Sequence, residues 1–75
     1  MKLSELMIGT EAKVITFGEL SNDIRKKLMV MGLLPNTTIK LLRRAPMGDP
    51  LQIEVRGVSL AVRENIAALI DVEVK

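Results

Sequence analysis

The chain has 75 residues, room for one domain with a thin margin of stability, because so short a chain buries only about 60% of the surface its unfolded form exposes. It contains no Cys and no His, which removes a disulfide framework, a zinc knuckle, a thiolate nucleophile and a His-based triad together. Lys and Arg number 11 against 9 Asp and Glu, and the net charge of +2 is too small to argue for nucleic acid.

Met1 to Thr10 carries Lys2 and Glu5 and lacks the unbroken apolar stretch of a signal peptide. A short turn is expected at Ser4 to Met7. Ala12 to Phe17 reads as a first strand, rich in β-branched and apolar residues. Helical period follows. Ser21 or Asn22 can cap the free N–H groups, Asp23 suits the positive end of the dipole, and Ile24, Leu28 and Met31 recur on one face. Gly32 is placed to end that helix in the left-handed conformation, and Pro35 prevents its continuation.

Thr37 to Arg44 reads as a second strand in which adjacent Leu41 and Leu42 must face opposite ways, so a bulge or a surface Leu is expected. Pro46 to Pro50 is a turn, with Pro46 at its first central position, Gly48 at its end and Asp49 placed to accept turn N–H groups. Leu51 to Arg56 alternates apolar and polar without a fault, and Val58, Leu60 and Val62 repeat the alternation after Gly57. Gly57 alone is short for a hairpin loop and is expected to be a tight bend or bulge. A short turn at Glu64 to Ala68 precedes a last strand, Ile70 to Val74. The fold class is mainly β, a small and strongly bent barrel of about five strands with one short helix after the first strand, spanning residues 1–75 as a single domain.

Nothing in the chain is built for catalysis. The P-loop and dinucleotide glycine patterns are absent, and the carboxylates are spread singly from Glu5 to Glu73. With Phe17 the sole aromatic, there are no stacking platforms for single-stranded nucleic acid, and Arg25-Lys26-Lys27 and Arg43-Arg44 read as solvated faces. The longest charge-free run, Leu28 to Ile39, contains Gly32, Pro35 and Asn36 and falls short of the roughly 20 apolar residues of a spanning helix. The expected location is cytoplasmic, with no direct membrane insertion.

Two segments carry more apolar and turn-forming residues than their local structure requires. If Ile24, Leu28 and Met31 face the core, Met29 and Val30 point well away from it, at about 100° per residue. Met29, Met31, Gly32, Leu33, Leu34 and Pro35 then form a candidate patch for a protein partner, against the plainer reading that the barrel wraps them. Pro46, Met47, Gly48, Asp49 and Pro50 form the second candidate, a stiff loop whose pre-organisation lowers the ordering cost of binding.

At these two segments the sequence resembles a known family. Arg25-Lys26-Lys27-Leu28-Met29-Val30-Met31-Gly32-Leu33-Leu34-Pro35, then Arg44-Ala45-Pro46-Met47-Gly48-Asp49-Pro50-Leu51, with Val58-Ser59-Leu60-Ala61-Val62-Arg63 after them, is similar to the FeoA family of bacterial ferrous iron transport accessory proteins. The resemblance implies an SH3-like barrel that binds the cytosolic face of FeoB, the membrane ferrous iron transporter, and modulates its iron uptake or GTPase activity. It implies a location at the inner face of the membrane only through that partner. Asn36 stands where members commonly carry Gly, and Asn tolerates a positive φ better than most residues.

No cofactor or metal ligand set is expected, since Fe(II) sites favour imidazole or clustered carboxylates. The alternative reading is the SH3-like C-terminal regulatory module of a metal-dependent repressor. Met1 lies about ten residues before the first strand with no helix-turn-helix ahead of it, which favours the free-standing reading. Unpaired edge strands or the apolar patch leave weak self-association open.

Overall fold

Alternation decides most of the architecture. Where apolar residues fall on every second position the chain is extended, and five such stretches form one antiparallel sheet in the computed structural model, which describes residues 1–75. The strands are β1 (Glu11–Thr16), β2 (Thr38–Arg44), β3 (Leu51–Val55), β4 (Val58–Val62) and β5 (Asp71–Val74). The 3-10 turn Leu3–Glu5 precedes them, α1 (Asn22–Val30) links β1 to β2, and α2 (Glu64–Ala67) links β4 to β5. Strand order is β4-β3-β2-β1-β5.

One face of the sheet closes over the core. Val14, Ile39, Leu41, Leu51, Ile53, Val55, Val62 and Val72 point into it, joined by Phe17, Leu20 and Leu28 from the β1–α1 connection and helix. Leu3, Leu6, Ala67 and Ile70 plug one side. The 17 buried apolar residues are aliphatic apart from Phe17, so packing depends on branched side chains filling one another's gaps.

Curvature comes from two irregularities. The β2–β3 register shifts between Leu41 and Arg43, leaving Leu42 half-buried as the bulge expected from the adjacent leucines. The β1–β5 register shifts between Val14 and Thr16 and turns Ile15 outward.

The β3–β4 connection differs from the sequence expectation. Val55 pairs with Val58, so Arg56 and Gly57 form a two-residue hairpin loop, with φ of 53° and 81°. Positive φ at both central positions is the geometry whose twist matches the flanking strands. Arg56 is therefore a turn residue and does not continue β3.

Arg44 also departs from the solvated reading. Its Nη2 donates to the carbonyls of Ser4 at 2.6 Å and Leu6 at 3.0 Å, and its Nη1 lies 3.6 Å from the Glu64 carboxylate. It fastens the N-terminal turn to β2. Arg43, by contrast, stays at the surface and donates to Gln52 Oε1 at 2.6 Å.

Candidate functional site

The helix exit is a Schellman motif. Gly32, at φ 99°, donates its N–H to Met29 O at 3.0 Å, and Leu33 donates to Leu28 O at 2.9 Å. This reversal carries Leu33 back under the helix, where it joins Leu28 in the core and is completely buried. Met31 is the C-cap residue and is 45% exposed. Of the residues read as a partner surface, Met31, which the helical period also puts on the core stripe, faces solvent, and Leu33 is core, as the plainer reading of the segment has it. The motif's habitual contact between the residue after Gly and the helix residue five before it is the signal in the sequence that identifies Leu33.

Ser21 Oγ accepts from Ile24 N at 3.4 Å and starts α1 as expected. Of its nine residues only Leu28 is buried, with Ile24 packed against the core. Val30 is 88% exposed and Met29 37%. Lys26, Lys27, Val30 and Met31 line an open apolar recess of about 440 Å³. Neither lysine has an ion-pair partner, whereas Arg25 folds back to donate to Leu20 O at 3.3 Å.

Beyond the exit, Leu34 is half-buried and Pro35 exposed. Thr37 N donates to Leu34 O at 3.2 Å across a turn with Pro35 and Asn36 at its centre, and Asn36 sits at φ 69°. The positive φ anticipated for Asn36 is present. This turn borders a second recess of about 550 Å³, lined also by Glu11, Lys40, Glu54 and Arg56. There Glu11, Lys40 and Glu54 stand in register on three neighbouring strands, acid, base, acid.

The second candidate segment closes on itself. Gly48 N donates to Ala45 O at 2.7 Å around Pro46 and Met47, and Ala45 N donates to Pro50 O at 3.1 Å. Met47 stands 92% exposed at its tip. Asp49 does not serve this turn: its Oδ1 accepts the Glu64 N–H at 2.9 Å, capping α2, whose own N-cap residue, Arg63, supplies no side-chain acceptor. Asp49 and Pro50 border a third recess, of about 430 Å³, with Ala61 and Arg63.

The fold keeps the two segments apart. Pro35 precedes β2 and Pro46 follows it, and seven residues of strand separate their ends by roughly 20 Å at about 3.3 Å per residue. A partner touching both must span β2. One exposed apolar pair escaped the sequence reading: Met7 and Ile8, 75% and 61% exposed. Thr10 N donates to Met7 O at 3.0 Å with Gly9 at φ 87°, a turn that pushes both side chains outward. Two large apolar residues directly before Gly9-Thr10, outside any alternating run, were the available signal.

No three of the Asp and Glu side chains gather into a group that could hold a metal ion, and no helix is long and apolar enough to cross a membrane.

The FeoA domain model matches residues 1–74. The chain is 33% identical over 73 residues to a Porphyromonas gingivalis protein named an Fe(2+) transport protein A/Fe(2+) transporter FeoB fusion, covering 97% of this chain and 8% of the fusion's length. Among solved structures, FeoA from Chlorobium tepidum superposes with a TM-score of 0.93 at 39% identity, over 99% of this chain and 70% of that one. The Stenotrophomonas maltophilia FeoA, an SH3 domain protein solved with zinc, superposes at 0.81 with 28% identity, over 97% and 89%. IdeR from T. acidophilum matches at 0.88 and 25% identity, over 34% of its length. The five-stranded barrel is SH3-like, and with a family model spanning nearly every residue, the chain belongs to the FeoA family.

Proposed function

We propose that the chain binds the cytosolic portion of a FeoB-type transporter and modulates its iron uptake or GTP hydrolysis. The observation that carries this is the fusion: in the Porphyromonas gingivalis relative an FeoA segment and a FeoB transporter share one polypeptide. A fusion holds two modules at high effective concentration, which benefits partners that act on each other.

The contact surface in this reading is the end of α1. Val30, Met31 and Met29 supply apolar area, Lys26 and Lys27 supply a cationic rim, and Leu34-Pro35 extends the surface toward β2. Exposed apolar side chains grouped on one element mark interaction sites, and methionines adapt to a partner's contours. Met47 and Pro46 form a separate contact at the far end of β2. Gly32 and Gly48 shape the two segments without offering side chains, and Leu33 supports the first from beneath.

The test is a titration of the isotope-labelled chain with the soluble cytosolic portion of the transporter, read by amide shifts. Shifts concentrated at Lys26–Pro35 are expected, and Val30→Asp with Met31→Asp should abolish them while the circular dichroism spectrum stays native. Undiminished shifts in that double variant would remove α1 from the interface. The transporter's GTPase rate with and without the chain then gives the direction of modulation.

The repressor-module reading draws on IdeR, yet identity is higher to free FeoA chains. It predicts affinity for a repressor's DNA-binding or metal-binding domain and none for the transporter.

A further inference from the structure

The sheet has two outer strands, and the chain treats them differently. β5 is covered on its outer side by the N-terminal residues: Leu3 N donates to Ile70 O and Val72 N to Met1 O, each at 2.8 Å. Lys2 stands opposite Asp71 and pairs with its carboxylate at 2.6 Å. β4 pairs with β3 and with nothing else. Because the two-residue loop makes Val55–Val58 the closing hydrogen-bonded pair, Val58, Leu60 and Val62 direct their main-chain groups at β3. Ser59 and Ala61 direct theirs away from the sheet, and no turn, loop or cap bond uses them.

Nothing blunts this edge. From Val58 to Val62 there is no Pro and no charge, and the β3–β4 register runs without a bulge. Proteins normally guard an outer strand with such features, because a bare one templates further pairing.

We propose that this edge joins two copies of the chain, β4 to β4, antiparallel about a two-fold axis through Leu60. In that register Ser59 of one copy faces Ala61 of the other, and the reverse pair repeats it, giving four main-chain hydrogen bonds. Val58, 56% exposed in the single chain, lies against Val62 of the second copy. Read against its own reversal, the uncharged segment sets small residues against small and apolar against apolar. That self-complementarity identifies the occupant as a second copy.

Sedimentation equilibrium of the whole chain, from about 10 μM to about 1 mM, brackets weak association. A concentration-dependent dimer is expected. Ala61→Pro removes an N–H that faces outward and leaves the β3 ladder intact, so it should weaken the dimer about tenfold or more. Leu60→Cys, the sole thiol in a chain without Cys, should cross-link to itself on mild oxidation, because facing non-hydrogen-bonded residues lie about 4.5 Å apart, within disulfide range. Val58→Cys should not. If Ala61→Pro fails to fold, Ser59→Lys gives the same reading by placing like charges beside the axis. A chain monomeric throughout the range, or a dimer indifferent to both variants, overturns the proposal. So does a monomer whose Ala61→Pro variant loses the transporter, since the edge would then serve that partner.

Discussion

Leu33 and Met31 sit two residues apart and differ completely in what they do. Leu33 is fully enclosed by the core, so Leu33→Ala should destabilise the chain by about 3 kcal/mol. Met31→Ala should stay within about 0.5 kcal/mol, as surface changes do. Urea unfolding followed by circular dichroism measures both, there being no Trp or Tyr to fluoresce. Equal losses would mean the Schellman geometry does not hold in solution. Gly18 is similarly constrained: at φ 56°, an added Cβ would lie 2.7 Å from the Leu69 carbonyl oxygen. Gly18→Ala should cost about 2 kcal/mol or more, combining left-handed strain with a backbone clash. Asn36, exposed and at φ 69°, is expected to accept Gly with little change.

Among the elements, α2 has only four residues and owes its start to a side chain 15 positions earlier, Asp49. Asp49→Ala should cost about 1 kcal/mol, and Asp49→Asn less, since the amide oxygen can still accept. Hydrogen exchange at Glu64 should quicken in the alanine variant, whereas an unaltered Glu64 amide would place the cap elsewhere. The strands were legible because alternation is a local property: β3 and β4 follow from Leu51, Ile53, Val55 and then Val58, Leu60, Val62, and the Leu41-Leu42 pair announced its own bulge. The helix was legible from Ser21 to Gly32. What escaped was decided by partners distant in sequence. Arg44 looks like any surface cation until Ser4 and Leu6 arrive beside it, and Asp49 looks like a turn residue until α2 is placed. The two candidate segments were each legible, but their separation by the length of β2 needed the fold. Met7 and Ile8 were missed although their place directly before Gly9-Thr10, outside any alternating run, was a local sign that they turn outward.

At the scale of the whole molecule, a barrel of 75 residues without disulfides holds its N-terminus as a structural part. Met1 to Leu3 closes the β5 edge, and its removal should leave both outer strands open at once. Such a truncated chain is expected to aggregate at concentrations where the full chain stays in solution, checked by light scattering. If it remains dispersed, the β5 edge needs no cover. The apolar tip of α1 and the loop at Met47 stay available in either case, since neither belongs to an edge.

The strand order also dictates a sequence of events in time. β2, β3 and β4 are consecutive antiparallel neighbours joined by short loops, whereas β5 must find β1 across nearly the whole chain, pairing Ala12 with Val74. Closing that loop demands its entropy before any contact rewards it. The three-strand meander should therefore be formed in the folding transition state, with β5 docking on the downhill side. Kinetics should divide accordingly: Ile53→Val slows folding, while Val72→Ala leaves the folding rate almost untouched and hastens unfolding.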